Sequence, residues 1–131
     1  MKKKILFVNA SLTGGGSEKV MTMLANIFCE KKYDVTMVLV KPKEEESYEV
    51  NKKVKIIKLN YKRKNKVFKL LERINKLKYI IKTNKYDYVI SFMYDINIST
   101  ILAVLGTKIH LIISERNDPS ARKISVLRKK I

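Results

Sequence analysis

One order of residues constrains this chain most. A short apolar run, Ile5-Leu6-Phe7-Val8, is followed by the triplet Gly14-Gly15-Gly16, and then by a segment with Val20, Leu24, Ile27 and Phe28 on one side. The apolar pattern changes across the glycines from a continuous run to three- and four-residue spacing, so the segment reads as a strand, a turn and a helix start. The helix is expected from about Ser17 to Lys31, with Ser17 as N-cap and Glu18 complementing the dipole. Asp34 to Val40 reads as a second strand, completing a β-α-β unit that should cross over right-handed. At such a turn, unpaired N–H groups and roughly half a positive charge face outward, favouring phosphate or carboxylate. A tight turn that binds nothing is the other reading, and a glycine triplet alone does not choose between them.

Downstream the alternation continues. Pro42 ends the second strand, and residues 43–49 form an acidic, polar stretch expected to be a mobile surface loop. Val54 to Leu59 is a third strand, which Lys55 and Lys58 mark as an outer one. After the cationic turn from Lys62 to Lys66, Val67, Leu70, Leu71, Ile74, Leu77 and Ile81 make one helical stripe, and Lys69, Arg73 and Lys76 fall off it toward solvent. Tyr86 to Met93 is expected as a central fourth strand, Ile96 to Leu105 as a short helix, and Ile109 to Ser114 as a fifth strand. Pro119 suits the first turn of a last helix. This alternation predicts an α/β fold: a Rossmann-like, doubly wound parallel sheet of about five strands with helices on both faces. Ligands of such sheets bind beyond the strands' carboxyl ends, where strand order reverses. Three loops should meet there, Asn9 to Ser17, Met93 to Asn97 and Ser114 to Asp118.

At 131 residues, 46% of them hydrophobic, the chain has the composition of one globular domain. The lone cysteine, Cys29, can make no intrachain disulfide and suits a packing role in a reducing cytoplasm. No apolar run approaches the roughly 18 residues that a membrane span needs. The net charge of +17 is concentrated: between Lys52 and Lys85 fourteen Lys or Arg face a single acid, Glu72. That segment has three readings: a solvated face, a docking surface for anionic membrane lipid, or a phosphate-contacting surface for nucleic acid. No RNA or DNA motif accompanies the charge, which ranks nucleic acid last.

Two nucleotide motifs fail on inspection. Gly14 to Lys19 has the first two glycines of GxGxxG but a lysine at the third, and Lys41 stands where an acid would hold a dinucleotide's ribose. The P-loop's Gly-Lys-Ser/Thr is absent. His110 lies among apolar residues and reads as packed, and no His, Cys and acid cluster has metal-ligand spacing.

Together, Lys4-Ile5-Leu6-Phe7-Val8, the Gly14-Gly15-Gly16-Ser17-Glu18 turn, the strand from Asp34 to Val40, and Ile113-Ser114-Glu115-Arg116-Asn117-Asp118-Pro119 resemble the N-terminal domain of a family 4 glycosyltransferase. The resemblance implies the two-domain GT-B fold and retaining transfer of a sugar from a nucleotide-diphosphate sugar to a lipid-linked or polysaccharide acceptor; on the residues themselves, no metal or other cofactor is expected. It places Gly15 and Gly16 by the donor diphosphate. Arg116, where members often have His, would meet the donor sugar or phosphate through its planar, permanently charged fork. Asp95, Asn97 and Glu115 are the acceptor-side candidates. Residues 1–131 would form a single acceptor-side domain without the C-terminal nucleotide-sugar domain. Such a half is expected to be inactive alone, cytoplasmic and peripheral on the inner membrane face. A basic polyanion-binding module without catalysis is the alternative.

Overall fold

A computed structural model of the chain describes residues 2–115 and 123–128. In chain order the elements are β1 (Lys4–Asn9), α1 (Gly16–Glu30), β2 (Asp34–Leu39), β3 (Lys55–Lys58), α2 (Lys66–Asn84), β4 (Tyr88–Phe92), α3 (Tyr94–Val104), β5 (His110–Glu115) and β6 (Lys123–Arg128). They build one sheet of order β3-β2-β1-β4-β5-β6. The first five strands are mutually parallel, and β6 runs antiparallel against β5. The Rossmann-like arrangement is therefore as expected, with β3 at an edge and β1 and β4 at the centre.

The period-two geometry of a strand divides the core between the two sheet faces. Ile5 and Phe7 of β1 pack with Val35, Met37 and Leu39 of β2 and with Met21, Ala25 and Cys29 of α1. Leu6 and Val8 face the other way, onto a cluster that includes Leu77 and Ile81 of α2 and Ile96, Ala103 and Val104 of α3. Both faces of the central strands are covered, which is why their sequences are continuously apolar. Cys29 is buried, as a packing residue should be.

Three local expectations change. The last helix is replaced over residues 123–128 by β6, where β-branched Ile124 and Val126 favour extended backbone and pair with Ser114 and Ile112. Pro119 and Asp118 lie outside the described residues. Helix α1 begins one residue early: Gly15 is its N-cap, without a side-chain bond, and Ser17 lies inside the first turn. Helix α2 is also rotated from its expected pose. Leu77 and Ile81 are buried, but Val67 and Leu71 are at least half exposed, and Arg73, expected on the solvent side, is buried.

The reason is length. Nineteen residues of helix span about 28 Å, whereas six residues of strand span about 20 Å. The first turns of α2 therefore project past the sheet, and only its second half can use an apolar stripe. Truncating Leu77 to Ala should cost about 2–5 kcal/mol. Leu71→Ala should stay within about 0.5 kcal/mol. Urea unfolding midpoints of the two variants test this orientation, and equal losses would contradict it.

Candidate functional site

The strand order makes the crevice. Strands β1 and β4 lie side by side, yet the chain leaves β1 toward β2 and leaves β4 toward β5, so the connections diverge and open a gap beyond Asn9 and Phe92. The glycine turn forms one wall. Gly14 has φ +113, a conformation that side chains rarely adopt, and Gly15 turns the backbone into α1. All three glycines are exposed, and a Cβ added at Gly16 would meet nothing within 4 Å. The first-turn amides of α1 thus border open space.

One side chain already leans over this turn. A Cβ at Gly14 would lie 3.3 Å from Glu18 Oε2, and one at Gly15 would lie 3.5 Å from Glu18 Oε1. The Glu18 carboxylate therefore sits near the positive end of the helix.

The acidic stretch expected to be mobile is tied to the same turn. Backbone N–H groups of Ser47 and Tyr48 both donate to the Leu12 carbonyl at 2.9 Å. Tyr48 Oη donates to the Gly14 carbonyl at 2.6 Å, and the hydroxyls of Thr13 and Ser47 are 2.9 Å apart. On the other flank of this stretch, Asn26 Nδ2 donates to the Glu49 carbonyl at 2.9 Å. These bonds use the carbonyl side of the glycine turn and leave its amide side open.

The second wall is the start of α3. Met93, its N-cap, has φ 78, a costly backbone for a non-glycine residue that is held at the switch point by its surroundings. Its N–H donates to the Ser114 carbonyl at 3.1 Å, joining the ends of β4 and β5. Asp95 receives Lys41 Nζ at 2.5 Å, a pair that reaches across the end of β1 from the end of β2. Partial burial would raise the Asp95 carboxyl, but Lys41, the Ile96 amide and the charge of Arg73 together hold it below the usual carboxylate range.

Beneath this rim lies a buried polar network. Ser91 Oγ donates to Asn97 Oδ1 at 2.7 Å, Asn97 Nδ2 donates to the Ser114 carbonyl at 3.0 Å, and Thr100 Oγ1 donates to Ser91 Oγ at 3.2 Å. Asn97 is 1% exposed. It was expected on a rim loop as an acceptor contact, but α3 starts at Tyr94, two residues before the expected Ile96, and both ends of the Asn97 amide are used inside the protein. Asn97 positions the rim.

Of the other expected site residues, Gly15 and Gly16 lie in the turn after β1 and Asp95 in the first turn of α3 after β4, both at the carboxyl edge of the sheet, and the backbone of Glu115 ends β5 on the same edge. Arg116 lies outside the described residues. Sequence reasoning missed Tyr48 and Asn97's structural role. The only hint of the first was an aromatic residue inside an otherwise acidic, polar stretch.

Comparison with known proteins fits this geometry. A family model described as glycosyl transferase 4-like matches residues 4–116, and the chain belongs to that family. Over 129 residues it is 33% identical to a Campylobacter jejuni subsp. jejuni serotype O:2 enzyme, the GalNAc-alpha-(1->4)-GalNAc-alpha-(1->3)-diNAcBac-PP-undecaprenol alpha-1,4-N-acetyl-D-galactosaminyltransferase. That match covers 95% of this chain and 35% of the relative, so the chain spans about a third of the relative's length. Among solved structures it is similar to the C-terminal domain of a Pyrococcus furiosus hydrogenase, with a TM-score of 0.55 and 19% identity over 86% of this chain and 92% of that one. At that identity the likeness concerns the fold alone.

Removing the Asn97 amide leaves the Ser91 hydroxyl and the Ser114 carbonyl without their buried partner. Asn97→Ala should therefore destabilise the chain by about 2–3 kcal/mol. Urea denaturation measures it, and a loss below about 0.5 kcal/mol, typical of surface sites, would show that the network does not hold the rim.

Proposed function

We propose that this chain is the acceptor-side half of a two-domain, GT-B-type retaining glycosyltransferase that moves a sugar from a nucleotide-diphosphate sugar to a lipid-linked or polysaccharide acceptor. The observation that carries the reading is the exposed triglycine turn at the carboxyl end of β1, open beside the switch point, in a chain of the glycosyl transferase 4-like family. The amides around Gly15 and Gly16 would face the donor diphosphate and stabilise the charge that grows on it as the glycosidic bond breaks. Glu18 offsets the positive end of α1, and an incoming diphosphate would have to push its carboxylate aside. Arg116 would add a fixed positive fork at the donor sugar or phosphate. Asp95 and Glu115 are the acceptor-side candidates, able to accept hydrogen bonds from sugar hydroxyls. Residues 1–131 would supply one wall of the cleft, and a second domain would supply most contacts to the nucleotide.

A nucleotide-diphosphate sugar at millimolar concentration should shift the amide NMR resonances of Gly14 to Ser17, while a radiolabelled donor shows little or no turnover by the 131-residue chain. Silence at those amides would overturn the donor assignment. Multiple turnovers would overturn the half-enzyme assignment.

A specific observation favours a membrane as a further partner. The outer face of α2 exposes Val67, Phe68, Leu71 and Tyr79. Phe68, Leu71 and Tyr79 line an open cleft of about 590 Å³ edged by Lys58, Arg63 and Lys76 and by one acid, Glu72. Apolar side chains set among cations suit the headgroup region, where each Lys or Arg adds about 1 kcal/mol on an anionic surface. No helix among the described residues is long and apolar enough to cross a membrane. The chain should float with anionic vesicles and not with neutral ones, and Phe68→Ser with Tyr79→Ser should weaken flotation. Equal flotation on both vesicle types would remove this partner.

A further inference from the structure

Among the described residues, Arg73 is the charge that solvation does not explain. It is 8% exposed, and its Nε donates to Tyr61 Oη at 3.2 Å. That phenol in turn donates to the Val40 carbonyl at 2.6 Å, so its one proton is already used. Burial is the main influence on Tyr61 and raises its pKa, which keeps the phenol protonated in this role. Among the described residues no carboxylate lies within ion-pair distance of Arg73. Nor is any of its nitrogens both sealed from solvent and unpaired. Its terminal N–H groups therefore open onto the cavity that it lines. A buried cation without a carboxylate is costly unless something else compensates it.

That cavity, of about 820 Å³, lies between the ends of β2 and β3 and the first half of α2. Lys41, Lys66, Lys69, Arg73, Tyr61 and Asp95 supply its polar walls. Four cations meet one acid, and that acid is already paired with Lys41. Lys69 Nζ stands 5.2 Å from the Tyr61 ring centre and Arg73 Cζ stands 5.8 Å from it, so the phenol backs both cations from one side. The cavity is distinct from the glycine turn. It opens on the sheet face covered by α2 and α3, whereas the glycine turn feeds α1 on the opposite face.

We propose that this cavity is a second anion site, built for a phosphate or diphosphate ester, with Arg73 as its buried anchor and Lys66 and Lys69 as exposed arms. A guanidinium held by its Nε presents its remaining N–H groups as a fork, which matches two phosphate oxygens at once. The site stands on this geometry and does not need the transferase reading. Only the assignment of the ester to something other than the sugar donor rests on it.

Titration of the 131-residue chain with inorganic pyrophosphate, followed by ¹⁵N NMR, tests the proposal. Saturable shifts are expected at the Arg73 Nε–H and at the amides of Lys41, Tyr61 and Lys69. Exchanging the exposed pair, Lys66→Gln with Lys69→Gln, should weaken binding at least roughly 10-fold without moving the unfolding midpoint. Arg73→Lys keeps the charge but loses the fork, and should also weaken it. Shifts confined to Gly14 to Ser17 would overturn this site and leave the donor reading standing. Shifts confined to the Arg73 cavity would do the reverse. Linear, unsaturable shifts at Lys2, Lys3, Lys31 and Lys32 as well as at Lys69 would mean diffuse screening and would overturn the site. Vesicles of phosphatidylcholine with phosphatidic acid separate the two sources of the ester. Competition with pyrophosphate assigns a lipid headgroup, and its absence assigns a soluble ester, each in support of the site.

Discussion

The parallel pairing of β1 with β4 is the constraint from which the rest of the molecule follows. Leu6 pairs with Val89 and Phe7 with Ile90, so two strands that are far apart in the sequence become the centre of the sheet. Parallel neighbours cannot be joined by a short turn, and the connection has to make a long crossover, usually through a helix. Once β1 turns back toward β2 on one side, and β4 continues to β5 on the other, the connections from their carboxyl ends diverge and leave a gap at the switch point. The exposed glycine turn and the first turn of α3 are at that gap for topological reasons. The pairing is held by apolar side chains that are fully buried on both faces, so the rim inherits a rigid base.

The rim itself is held by polar bonds, which have direction where apolar packing does not. Asn97 joins a side chain of β4 to a backbone carbonyl of β5, and Lys41 joins the end of β2 to the start of α3. The two links differ in strength. The Asn97 network is buried, so breaking it strands polar groups away from water. The Lys41–Asp95 pair is about half exposed and is screened, so it contributes little stability and can open. A firm inner wall with a loose outer pair suits a crevice whose contents come and go. On the glycine side the division is similar: the carbonyls of Leu12 and Gly14 are taken by the stretch around Tyr48, while the amides stay open.

The sheet and its order of elements were legible because burial on both faces writes a continuous apolar run into each central strand. The glycine turn was legible because a change of period leaves a mark at a known place. Arg73 and Asn97 were not, and for the same reason. A helical wheel assigns a side from spacing, which presumes that polar means exposed. Asn97 contradicts that presumption by finding two partners inside, and Arg73 by finding a phenol and a cavity. The helix expected after Pro119 failed differently: residues 123–128 carry no strong helical stripe, and an unpaired edge of β5 was available to receive them. That edge is a tertiary fact, invisible to a local reading.

The basic quarter of the chain separates into three kinds of charge once it is folded. Lys58 and Lys76 make ion pairs with Glu46 and Glu72. Glu72 also accepts the backbone N–H groups of Lys62 and Arg63, so the segment's single acid shapes the cationic turn in addition to offsetting it. These bonds to N–H groups, that from Lys62 above all, outweigh the opposing effect of desolvation and hold its carboxyl below the usual range. Lys82 on α2 points to water, where an ammonium costs little to keep and the charge says little about a partner. Arg73 is neither paired with a carboxylate nor fully solvated, and only a charge of that kind has a free energy that depends strongly on what enters beside it. Net charge therefore ranks the surface poorly: thirteen units of excess positive charge in a quarter of the chain are less informative than one guanidinium held by Tyr61 at the mouth of a cavity.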